Sequence, residues 1–142
     1  MWQPKEPLTG KDLQHLLEKD EFSIVRDVDS IPDDVKKCLA RDFQQSEFQM
    51  ANPDGEWQAG CVIADPHLPR RRLVFGADSG CHYLLQFETL DYARFFHILL
   101  CSRSLENGVP RVAWHSWSHC RLSDISDFRR AFTLGTLEYY PR

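Results

Sequence analysis

The sequence predicts an α+β fold: two N-terminal helices, a five-stranded antiparallel meander and one C-terminal helix. Three observations carry this expectation. Apolar residues recur at helical spacing before residue 44 and again after residue 123. Short apolar or alternating runs bounded by turn residues fill residues 57–117. The links between those runs are only a few residues long, whereas a parallel crossover needs a dozen or more. The absence of any Gly-rich phosphate loop agrees, and argues against a doubly wound nucleotide-binding sheet.

The 142 residues suit a single domain. Residues 1–8, with two prolines, read as an irregular lead-in to a helical part over residues 9–44. Thr9 suits a helix cap before Leu13, Leu16 and Leu17, which fall on one stripe. Phe22 to Val25 reads as a short extended piece. Ser30 and Asp33 stand at capping-box spacing, Pro32 suits a first turn, and Val35, Leu39 and Phe43 continue a second helix. Asn52-Pro53-Asp54-Gly55 is a strong turn signal. After it come five expected strands: Trp57–Ala64, Arg71–Ala77, Cys81–Glu88, Arg94–Ser102 and Val109–Trp117. Asn107-Gly108 suits the last hairpin turn, because both residues tolerate positive φ. Ser123 or Asp124 caps a final helix over residues 123–135, which carries Ile125, Phe128 and Phe132 and ends at Gly135. The tail after Gly135 suits a short edge strand.

Centring the hairpins on Ser79, Asp91 and Asn107-Gly108 pairs Phe75 with Tyr83, Leu73 with Leu85, Glu88 with Arg94, and Cys101 with Trp114. One face then carries Leu73, Phe75, Tyr83, Phe87, His97 and Trp114 and packs under helices. The other carries His82, Gln86, Glu88, Arg94, His115 and Trp117 around an apolar centre. It reads as a half-solvated or covered face, or as a binding surface. A one-residue slip exchanges the two faces.

Composition narrows the function. The charge of −4 divides unevenly: residues 1–56 hold seven Lys and Arg against thirteen Asp and Glu, and residues 57–142 hold ten Arg against eight Asp and Glu. The pI near 5.8 lacks the basic footprint of a nucleic-acid binder. No apolar run reaches the length of a membrane span, and the opening MWQPKEPLTGK has no apolar core of a secretory signal. Five cysteines, an odd number without a CxxC pair, fit reduced thiols in the cytoplasm.

Candidate chemistry is sparse. His115 and His119 are four apart, which on a strand is about 13 Å, too far for two ligands of one metal. His82 and His115 are expected roughly 10 Å apart across Leu100, again too far to share an ion. His97 falls on the apolar face, where a backbone or hydroxyl partner is expected. Cys101 lies too far along the same strand to form a nucleophilic pair with it. Arg70, Arg71 and Arg72 form the only basic run, a solvated strand start or an anion contact. No catalytic set, metal or cofactor is expected. The reading is therefore a non-catalytic protein-binding module, an adaptor or an inhibitor or immunity-type protein whose acidic helical part docks a basic partner. Its binding-face candidates are His82, Gln86, Glu88, Arg94, His115 and Trp117, with Arg70, Arg71 and Arg72 for anion contact. The alternative is a small-molecule-binding or enzymatic domain with a pocket between sheet and helices.

Overall fold

The computed structural model describes residues 10–19, 21–59, 66–90, 93–103, 110–118, 121–134 and 138–139. The elements in chain order are α1 (Gly10–Lys19), β1 (Ser23–Val25), a 3₁₀ turn (Val28–Ser30), α2 (Asp33–Asp42), β2 (Arg72–Asp78), β3 (His82–Leu90), β4 (Arg94–Ser102), β5 (Arg111–Ser118), α3 (Ile125–Leu134) and β6 (Glu138–Tyr139). The strands form one sheet in sequence order, and every neighbouring pair is antiparallel. The α+β class, the antiparallel sheet and the placement of the helices follow the expectation.

The membership of the sheet differs at its first edge. The expected strand Trp57–Ala64 runs through irregular backbone at residues 57–59, and residues 60–65 lie outside the described residues. Its place beside β2 is taken by β1, which pairs Ser23 with Asp78 and Val25 with Gly76. Within the described part, the Gln58 amide donates to the Pro69 carbonyl at 2.7 Å. The chain instead touches the sheet at Ala51, which bridges Arg72 in parallel before the Asn52–Gly55 turn.

The helix caps also differ in detail. Pro32 precedes α2 without a side-chain cap, while Asp27 accepts from the Asp29 amide and caps the 3₁₀ turn. Asp124 is the cap of α3 and accepts from the Asp127 amide at 3.0 Å. Thr9, Gly135 and the Asn107-Gly108 turn lie outside the described residues.

Two bulges set the register. Leu73 faces Phe87 but Phe75 faces Gln86, leaving Val74 as the extra residue. Leu100 faces Trp114 but Cys101 faces Val112, leaving Ala113 extra. Each extra residue swaps the faces on one side of it. Phe75 and Trp114 therefore sit opposite to their expected face, among Leu13, Leu84, Ile98, Leu100 and Phe128 under α1 and α3. Leu73, Tyr83, Leu85, Phe87, Leu99 and Val112 pack with Val35, Cys38 and Leu39 of α2 on the other face. Both faces are thus covered by the chain itself. The β3–β4 register is displaced by two residues from expectation, so Arg94 faces Leu90 and Glu88 faces Phe96. An even displacement leaves the faces unchanged.

Gly76 is held by a close approach. A Cβ there would stand 2.8 Å from the Tyr83 hydroxyl and 3.1 Å from its ring. That hydroxyl is buried and finds no hydrogen-bond partner among the described residues. Gly76→Ala should therefore cost about 1–3 kcal/mol in urea unfolding, as overpacked cores do. Tyr83→Phe should be neutral or slightly stabilising, and should recover part of the Gly76→Ala loss. An additive double variant would contradict the contact.

A candidate anion-binding site

The binding face expected from the sequence does not assemble. His82, Gln86, Glu88 and Arg94 lie on the face under α1 and α3, whereas His115 and Trp117 face α2, because of the Ala113 bulge. Five of the six already have partners within the fold, His115 through the His97 and Phe43 rings. The His82 amide takes the Ser79 hydroxyl at 3.1 Å in the β2–β3 turn. Gln86 is fully buried and accepts from the Leu122 amide at 3.0 Å, fixing the approach to α3. Glu88, 1% exposed, binds Arg72, whose Nε donates to it at 2.7 Å; this replaces the expected Glu88–Arg94 pair. Trp117 meets the Phe95 ring edge-on at 5.3 Å. Arg94 is exposed.

The arginine run behaves differently. Successive residues of an extended chain point to opposite faces. Arg72 turns toward Glu88 and stands over the Trp57 ring at 5.0 Å. Arg71 turns the other way, toward α2. Its guanidinium lies 4.4 Å over the Phe48 ring, 5.2 Å from Phe43 and 5.9 Å from Phe87. Its Nη1 donates to Gln45 Oε1 at 3.0 Å. No carboxylate among the described residues stands within ion-pair reach of it. Burial alone pulls its pKa down, and a guanidinium still keeps its charge.

The end of α2 builds this arrangement. Gln44 takes a left-handed conformation (φ 55°), and the Gln45 amide reaches back to the Ala40 carbonyl at 2.8 Å while Gln44 reaches Arg41. This is a Schellman-type stop made without glycine. It swings Phe43, Gln45 and Phe48 over the sheet, where Phe43 and Phe48 meet the Phe87 ring edge-on at 5.9 and 5.6 Å.

Behind the rings lie two histidines. His97 stacks on Phe87 at 4.9 Å, 10° from parallel, and its Nε2 is 3.2 Å from the Thr89 hydroxyl. The hydroxyl partner expected for His97 is therefore present. The His115 ring is 5.8 Å from His97 and 6.0 Å from Phe43. Burial first, and then the Arg71 charge, push His97 down to about 4. An imidazole that weakly basic does little to activate the Thr89 hydroxyl at neutral pH. Cys101 pairs with the Cys38 thiol of α2 rather than with His97. The Cys101–Cys38 hydrogen bond draws Cys38 down and Cys101 up.

Arg71, Arg70, Thr89, Gln45, Gln49 and Leu68 line a cavity of about 590 Å³ between the sheet and the segment after α2. Glu47 also borders it. Among the described residues no three His, Cys, Asp or Glu side chains gather as a metal site. His119, Cys61 and Cys120 lie outside those residues, while Cys38, Cys81 and Cys101 are free thiols. No helix among the described residues is long and apolar enough to cross a membrane. Sequence reasoning singled out Arg71 but missed its setting: Phe48 sits in no periodic run, and Phe43 reads only as part of a helix stripe. No family model, curated protein or solved structure matches this chain.

The depressed His97 makes a pH prediction. Its unfolded value is near 6.5 and its folded value about 4, so the unfolded chain binds more protons between them. The contribution to stability, on the order of 3 kcal/mol, is complete above pH 6.5 and lost as pH falls to about 4. His97→Phe keeps the stack on Phe87 and should flatten this part of the pH dependence, measured by denaturant unfolding at both ends of the window. Parallel curves for the two proteins would contradict it.

Proposed function

We propose that this chain is a non-catalytic binding domain that holds an anionic group, a carboxylate or a phosphate, in the cavity beside Arg71. The observation that carries the reading is a half-buried guanidinium fixed against Phe48, with a neutral amide for its hydrogen-bond partner and no carboxylate in reach among the described residues. Most of its five N–H donors remain for a ligand, and hydrogen bonds to a charged acceptor contribute roughly 1.5–3 kcal/mol each. The rings hold the group in place before binding, which lowers the ordering cost of association. Arg70 adds positive charge to the same cavity, and Thr89 adds a hydroxyl.

This reading keeps the expectation of a binding module but changes its partner. The sequence suggested a basic partner for the acidic N-terminal part, whereas the cavity suits an acidic one. Two of those acids serve the fold: Asp34 takes Arg103 in two hydrogen bonds, and Asp27 caps the 3₁₀ turn. A weakly basic His97 and no activated nucleophile beside it favour holding over reacting.

Titration with inorganic phosphate and with acetate, followed by NMR, tests the reading. Both anions should shift Arg71, Thr89 and His97 signals. Arg71→Gln should weaken binding about tenfold or more, as loss of a charged bidentate partner does, and Arg71→Lys should retain part of it. Bound anion offsets the Arg71 charge, so the His97 titration midpoint should rise. Signals that stay still, or shifts unaffected by Arg71→Gln, would refute the site.

A further inference from the structure

We infer that the ligand is an acidic peptide segment that crosses residues 46–49 and places one carboxylate in each of two cavities. The inference rests on the reading of the Arg71 cavity as an anion site. A second cavity of about 400 Å³ shares Ser46, Glu47 and Gln49 with the first. Lys36 and Lys37 of α2 and His67 border it, over a floor that includes Phe48 and Met50.

The two cavities thus present cations at separated ends, Arg70 and Arg71 at one and Lys36 and Lys37 at the other. This happens in a chain whose net charge is −4, so general basicity is not the cause. A single small anion fills one end and does not reach the cations at the other. Between the ends, beside Glu47, the shared lining is polar, with the Ser46 hydroxyl and the Gln49 amide suited to peptide N–H and C=O groups. Leu68 and Pro66 offer apolar surface for an aliphatic side chain.

Glu47 selects among polyanions. It borders both cavities, and Asp29 borders the second. A ligand with continuous charge, such as a nucleic-acid strand, meets these carboxylates along its length and is repelled. A peptide with two acidic residues and a neutral stretch between them passes Glu47 without that repulsion.

Calorimetry with capped synthetic peptides tests the proposal. The peptides carry two glutamates separated by a varied number of serines, one glutamate, or none. At the best spacing the two-glutamate peptide should bind about tenfold or more tighter than either one-glutamate peptide, because the second contact is made within an existing complex. Lys36→Ala with Lys37→Ala should reduce the two-glutamate peptide to the one-glutamate level and leave the phosphate-induced shift of the Arg71 signal unchanged. Arg71→Gln should weaken every acidic ligand. Equal affinity of one- and two-glutamate peptides at all spacings would overturn the inference while leaving the Arg71 site standing. Loss of all anion binding in the wild-type protein would overturn both. Tighter binding of a single-stranded oligothymidine than of the best peptide would overturn the peptide assignment. If the double lysine variant fails to fold, the spacing series on the wild-type protein decides alone.

Discussion

Strand β3 is buried at every residue from Tyr83 to Glu88, and β4 from Ile98 to Cys101. A run of this kind leaves neither side of the sheet free for water, so both sides need a helical cover. The first helix and the last meet on one side over Phe75, Leu84 and Trp114. The second helix covers Leu85, Phe87 and Leu99 on the other side. Because α2 ends at Asp42, the Phe43–Phe48 turn has to finish that cover at the end of the sheet where Thr89 and His97 lie. The cavity lies where this cover stops.

The same alternation decides the fate of two adjacent cations. Arg72 enters the side where Glu88 is buried and is neutralised there. A buried pair of this kind is costly to break, because either partner alone is left desolvated. Arg71, one residue earlier, lands on rings instead of a carboxylate. Ring faces and one amide offset part of its desolvation, and the proposed anion would supply what they lack. One residue of pleat thus separates a structural ion pair from the proposed binding group.

Much of this was legible in the sequence and some was not. Strands β2 to β5 lie within two residues of the segments read from turn residues and apolar runs, since Asp78-Ser79-Gly80 and the 89–93 link punctuate them plainly. Both outer pieces, residues 23–25 and the tail after Gly135, were also visible as extended segments. The expected edge strand at Trp57–Ala64 is irregular at residues 57–59, and residues 60–64 lie outside the described residues. The bulges at Val74 and Ala113 escaped altogether. Either residue reads as an ordinary strand position, yet each moves a whole set of side chains across the sheet. His115 and Trp117 were separated from His82 for that reason. The site was half legible: the arginine run was apparent, but the rings under Arg71 come from two distant segments, residues 43–48 and β3.

The most direct measurement is the NMR signal of the Arg71 guanidinium, assigned by comparison with Arg71→Lys. Held 4.4 Å over Phe48, its Nε proton should show an upfield ring-current shift and slow exchange with water. Inorganic phosphate should then move that signal further, and move it more than those of exposed arginines such as Arg94 and Arg130. A signal at the position of a solvated arginine, unmoved by phosphate, would contradict the account.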